Sequence, residues 1–125
     1  MEIKLLPHMF TVCKIEDVDL ADLSDDFTFL SKTDDEISLV AKEENVAGHC
    51  LAREDGWRGL RIAGTMDFTM IGVISRLTSV LAAEDIPVFV ISTFDTDYIF
   101  IKDEDLSKAL YVLEDEYKTV VSEVK

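Results

Sequence analysis

The stretch Met70-Ile71-Gly72-Val73-Ile74-Ser75-Arg76-Leu77-Thr78-Ser79-Val80-Leu81-Ala82-Ala83-Glu84-Asp85-Ile86-Pro87-Val88-Phe89-Val90-Ile91 changes its hydrophobic period once. Met70, Val73, Ile74, Leu77 and Leu81 recur at steps of three and four, which puts them on one face of a helix. Gly72, one turn into that helix, costs stability relative to alanine and leaves room for a close approach. Asp67 or Thr69 is placed to cap the helix, since a side-chain oxygen there accepts from an unpaired backbone N–H. Pro87 marks the end, because proline forces the preceding residue out of helical geometry. From Val88 the run is continuously apolar, which predicts a buried strand.

Working outward, Trp57 to Ala63 reads as a strand and Gly64 to Asp67 as a turn. Tyr98 to Ile101 is another strand. Leu106, Ala109, Leu110, Leu113 and Tyr117 give a second amphipathic helix. Thr119 to Val121 reads as a last short strand or a frayed helix end. This order is the split βαβ, or ferredoxin-like, arrangement: an α+β fold with an antiparallel sheet and both helices on one face.

The first half offers a shorter, helix-poor version of the same order. Met9 to Ile15 reads as a strand. Phe27 to Ser31 and Ile37 to Ala41 flank the acidic link Lys32 to Glu36 and predict a hairpin. Glu16 to Asp26 is acidic and reads as a short helix or a loop. Residues 42–57 show no clear pattern. The expected organisation is two units, 1–57 and 58–125, with no residue-level repeat evident between them.

The chain has 125 residues, 12 basic and 26 acidic side chains, and a net charge of −14. Its hydrophobic fraction of 48% is too high for a disordered acidic tail. A surface this negative repels phosphate backbones and anionic membranes, so neither nucleic acid nor a membrane is an expected partner. The continuous apolar stretches, Pro87 to Ile91 among them, are far below the ~20 residues a spanning helix needs. Residues 1–7 lack the apolar core of a secretory signal, so a cytoplasmic location is expected. Cys13 and Cys50 make no disulfide framework; two free thiols or a single bridge both fit the sequence.

The most informative polar segment is Ser92-Thr93-Phe94-Asp95-Thr96-Asp97. It joins two apolar strands without the glycine of a common hairpin. Asp95 or Asp97 suits an ammonium or guanidinium, and Ser92 or Thr93 suits a carboxylate. A solvated turn bonding its own backbone is the plainer reading. The turn from Gly64 to Gly72 precedes a helix N-terminus, where unpaired donors and the dipole favour a carboxylate. In a split βαβ unit these two segments lie near each other, so one small amino acid suits both.

Other candidates are weaker. His49-Cys50 has no second pair at metal-ligand spacing. Asp34-Asp35-Glu36 lacks the spacing of a calcium loop and reads as a hairpin tip. No nucleophile, base and oxyanion donor are arranged together, so no catalytic residue, metal or cofactor is expected.

Met66-Asp67-Phe68-Thr69-Met70-Ile71-Gly72-Val73 and Ile91-Ser92-Thr93-Phe94-Asp95-Thr96-Asp97-Tyr98-Ile99 resemble the ACT domain, a βαββαβ module that binds amino acids and other small ligands. Leu5-Leu6-Pro7 and Glu54-Asp55-Gly56-Trp57-Arg58 resemble the small bacterial tandem-ACT proteins, which are related to aspartokinase regulatory regions and to the CASTOR arginine sensors. The resemblance implies a non-catalytic sensor with an amino-acid effector held between ACT units. It implies a ligand-binding set of Met66, Asp67, Phe68, Gly72, Ser75, Ser92, Thr93, Phe94 and Asp97. Within it, Asp97 would pair with the effector's cationic end and backbone groups near Phe94 would hold the other. Gly72 and Ser75 would stand on the helix side. A protein partner would receive the signal, and open sheet edges favour a homodimer. The alternative is an ACT-like assembly module without a ligand.

Overall fold

The computed structural model describes residues 2–46, 48–62, 72–117 and 120–123. Seven strands run β1 (Glu2–Ile15), β2 (Phe29–Lys32), β3 (Ile37–Lys42), β4 (Ala52–Ile62), β5 (Val88–Ser92), β6 (Asp97–Lys102) and β7 (Val120–Glu123). The helices are α1 (Val73–Ala83) and α2 (Leu106–Tyr117). Two compact units result, a larger one of Met1–Pro7 with Arg58–Lys125 and a smaller one of His8–Trp57. The long strands β1 and β4 each supply residues to both.

In the larger unit β4, β6 and β5 are hydrogen-bonded in that order. Val88 faces Ile101 and Ser92 faces Asp97 across the antiparallel β5–β6 pair. The start of β1 pairs in parallel with β7, Glu2 opposite Val120. The β1–β3, β2–β3 and β5–β6 pairs are antiparallel as expected, whereas this pairing is parallel. It also groups residues 1–7 with the C-terminal part of the chain, although they adjoin the N-terminal part in sequence. Both helices bury their apolar stripes on one sheet face. Leu77 and Leu81 of α1 and Ala109 and Leu113 of α2 share a core with Ile3, Leu60, Ile62, Ile99 and Ile101.

The start of α1 differs from the expected one, and its end lies ahead of Pro87 as expected. Its N-cap is Gly72, at φ 83 and ψ 6, with no side-chain cap. The proposed caps Asp67 and Thr69 lie outside the described residues. Gly72 is therefore a left-handed entry to the helix, not a weak residue inside it. A Cβ there meets nothing within 4 Å among the described atoms, so the cost of a side chain is backbone strain alone. Gly72→Ala is expected to lower stability by about 1–2 kcal/mol in urea denaturation, and an unchanged midpoint would contradict this conformation. At the other end Asp85 adopts φ 58. Its N–H donates to the Ala82 carbonyl at 3.0 Å, and the Ile86 N–H reaches back to the Leu81 carbonyl at 3.0 Å. This pair of bonds closes the helix before Pro87, and Ile86 packs in the same core as Leu81.

Strand β5 was expected to be buried. It is instead the last strand of the sheet path, and Val90 is 36% exposed. A continuous apolar run does not distinguish a central strand from one at the end of a sheet.

In the smaller unit β3 lies between β2 and the second part of β1. Cys13, Ile15, Leu39 and Ala41 form its core, with Leu30, Ile37, Val46 and Cys50 packed against them. The acidic stretch holds only a short 3-10 turn at Val18–Leu20, capped by the Asp17 side chain.

The two hairpins repeat at an offset of 60 residues. Phe29 faces Val40 as Phe89 faces Phe100, and Lys32 faces Ile37 as Ser92 faces Asp97. β3 and β6 bury the same positions in the same order. Each is followed by a 3-10 turn entered from a lysine, Lys42 or Lys102, in nearly the same conformation. Phe29/Phe89, Thr33/Thr93, Asp35/Asp95, Lys42/Lys102 and Glu44/Glu104 are identities at this offset. A residue-level repeat thus exists, sparse enough to pass unseen without the strand registers.

Candidate functional site

The turn between β5 and β6 is built by its own side chains. The Thr93 N–H donates to the Thr96 carbonyl at 2.8 Å, and Thr93 Oγ1 donates to the same oxygen at 3.1 Å. Thr96 Oγ1 donates to the Ile62 carbonyl at 2.6 Å, which pins the turn to the end of β4. The Ser92 hydroxyl donates to the Asp97 carboxylate across the last register pair. The plainer expectation, a turn bonding its own backbone, thus describes Thr93, whereas the Thr96 side chain reaches to the end of β4. It does not describe Asp97, whose carboxylate is oriented by Ser92 and has acceptor capacity to spare.

Phe94 stands at the tip with its side chain fully exposed (103%). Ser92, Thr93 and Asp95 are exposed, and Asp97 is half-buried. Gly72 and Ser75, in the first turn of α1, are also exposed. The structure therefore brings Ser92 and Asp97 into contact and anchors their turn to Ile62, the last described residue before the segment leading into α1. Met66, Asp67 and Phe68 lie outside the described residues. Thr96 is a positioning residue that the sequence reading passed over. Its hydroxyl was one of several in the segment, and only the Ile62 contact sets it apart.

The repeated turn in the smaller unit has the same backbone closure. The Thr33 N–H donates to the Glu36 carbonyl at 2.9 Å, and Thr33 Oγ1 accepts from the Asp35 and Glu36 N–H groups. Asp34, Asp35 and Glu36 are exposed, in keeping with a solvated hairpin tip. Lys32 and Ile37 stand where the larger unit has Ser92 and Asp97. At that register position the carboxylate-and-hydroxyl pair belongs to one hairpin and not to the other. The smaller unit has its own such pair elsewhere, where the Ser38 hydroxyl donates to the exposed Glu36 carboxylate at 2.6 Å. It also has an open depression of about 340 Å³ lined by Val12, Lys14, Glu36, Ser38, Arg53 and Glu54 among others. Its cations and carboxylates are mixed, so it favours neither sign of ligand.

Among the described residues, no group of three or more His, Cys, Asp or Glu side chains is arranged to hold a metal ion. No described helix is long and apolar enough to cross a membrane.

With the fold in hand, a family model for the ACT domain matches residues 52–115, just over half of the chain. The chain belongs to the ACT domain family. The match covers β4 through most of α2, so it includes both the Gly72 entry and the Ser92–Asp97 turn.

Solved structures share the fold over nearly the whole chain. A structural-genomics protein from Agrobacterium tumefaciens is 24% identical, with a TM-score of 0.88 over 99% of this chain and 93% of its own. A Vibrio cholerae protein of unknown function, described as a possible transport protein, is 19% identical, with a TM-score of 0.69 over 91% and 88%. The regulatory subunit of aspartate kinase from Thermus thermophilus is 9% identical, with a TM-score of 0.61 over 92% and 96%. This ACT chain therefore has the fold of aspartokinase regulatory regions, as its sequence resemblance implied.

Proposed function

We propose that this ACT protein is a non-catalytic cytoplasmic sensor that binds an amino acid at the Ser92–Asp97 turn. The observation that carries the reading is the Asp97 carboxylate, oriented by the Ser92 hydroxyl and replaced by Ile37 in the repeated hairpin. Asp97 receives the ammonium of the effector, and the backbone around Phe94 holds the carboxylate end. Thr93, whose N–H and hydroxyl both donate to the Thr96 carbonyl, orders that backbone without touching the carboxylate through its side chain. Met66, Asp67, Phe68, Gly72 and Ser75 complete the proposed set from the helix side. Binding favours whichever arrangement of the protein holds the effector better, and a separate protein partner receives the change. The net charge of −14 suits a partner with a basic surface.

A thermal-shift screen against the twenty amino acids tests this. An effector at ~100 times its dissociation constant stabilises by about 2.7 kcal/mol, a clear shift for a protein of this size. A selective shift with one amino acid or a related group is the expected result; no shift with any of them would sink the sensor reading.

The exposed Phe94 and the position of β5 at the end of the sheet path favour a second reading, an assembly module joining another copy. Concentration-dependent dimerisation without any amino-acid response would select it.

A further inference from the structure

Both cysteines lie in the smaller unit, 37 positions apart, and neither is in a disulfide. Cys13 is in β1 and 4% exposed; Cys50 lies just before β4 and is partly exposed. The Leu51 N–H donates to the Lys14 carbonyl at 2.8 Å, which ties the two segments together one residue beyond each thiol. Thr11 Oγ1 donates to the Glu54 carbonyl at 3.2 Å and continues the same antiparallel alignment. Cys50 packs against the core cluster that contains Cys13. The Cys13 Sγ–H donates to the Leu39 carbonyl at 3.6 Å, and the Cys50 thiol acts on it from the neighbouring segment.

Their surroundings divide the roles. Burial and the neighbouring Cys50 push the Cys13 thiol up to about 12, so it stays neutral and inert toward reagents in solution. The Arg53 guanidinium acts electrostatically on both sulfurs. It is held there by Asp55 at 2.7 Å and by the Val46 and Glu43 carbonyls at 3.1 and 3.2 Å. The partly exposed Cys50 is therefore the entry point, and the buried Cys13 is the resolving thiol beside it.

We propose that Cys13 and Cys50 form a reversible intrachain disulfide when the protein meets a small-molecule disulfide, and that this bond stabilises the smaller unit against unfolding. The Cys50 thiolate attacks one sulfur of the small disulfide, whose S–S bond breaks and releases one thiolate. The thiolate released first takes the Cys13 proton, and the Cys13 sulfur attacks the Cys50 sulfur, displacing the second thiolate, which takes up a proton from water. Two protein thiols are oxidised by two electrons in all, and one small disulfide is reduced to two thiols. The new bond closes a loop that contains β2 and β3, restricting the unfolded chain far more than the folded one.

The test exposes the native full chain to glutathione disulfide at neutral pH, followed by peptide mapping, a free-thiol count and thermal melting. The expected product joins the Cys13 and Cys50 peptides, has no free thiol, and melts roughly 10 °C higher than the reduced protein. Dithiothreitol should reverse all three changes. Cys13→Ala should stop at a glutathione adduct on Cys50, and Cys50→Ser should leave Cys13 unmodified. Wild-type protein that ends with both thiols free, or with glutathione on Cys50 and Cys13 still a thiol, would overturn the proposal.

Discussion

Phe100→Ala is expected to cost about 3–5 kcal/mol of stability, the range for deleting a fully buried aromatic side chain. Phe100 has no exposed surface and stacks on Phe89 at 4.8 Å between centroids, with the rings 10° from parallel. It is also the middle of the three consecutive buried residues in β6. Truncation leaves a cavity that the sheet cannot close, because β4 and β5 hold β6 from both sides. The repeat supplies an internal comparison. Val40 occupies the same register position in the smaller unit and is 6% exposed. Val40→Ala removes a much smaller volume and should cost about 2 kcal/mol. Urea denaturation of both variants checks the pair. A Phe100→Ala cost below that of Val40→Ala would mean the two hairpins are not packed alike.

Asp97→Ala is expected to weaken the binding of whichever amino acid the screen identifies by roughly 30–100-fold, the loss of about 2–3 kcal/mol that follows removal of one partner from a partly desolvated charge pair. Asp97→Asn separates charge from shape, because an amide oxygen still accepts from the Ser92 hydroxyl. It should lose most of the same affinity if the ammonium is held by charge. Asp95→Ala serves as the control. Asp95 is exposed two residues away and should leave affinity within about threefold, since an exposed charge acts weakly through water. Isothermal titration of the three variants measures this directly. Equal losses at Asp95 and Asp97 would point to a diffuse field effect and away from a seated ammonium.

The helices and hairpins were legible because their signals are local. Leu77 and Leu81 lie a turn apart on one face, and both are fully buried. The hairpins at residues 33–36 and 93–96 follow from apolar runs broken by threonine and acidic residues. The Ser92–Asp97 turn was legible as a polar segment between two strands. Which of its residues matter was not. The Ser92–Asp97 contact comes from strand register and the Thr96–Ile62 bond from packing. A shift of one residue would turn Asp97 to the opposite face of the sheet.

By itself, then, the sequence determined the α+β class, the two helices, both hairpins and the ACT resemblance. Hydrophobic period and turn chemistry act within a few residues, so they are written along the chain. Tertiary structure decided where residues 2–7 pair, why Gly72 enters α1 with positive φ, why β5 ends the sheet, and that Cys13 meets Cys50. Those outcomes depend on which segment lies alongside which. Backbone hydrogen bonding carries no mark of its partner, and burial of the whole core selects among the pairings.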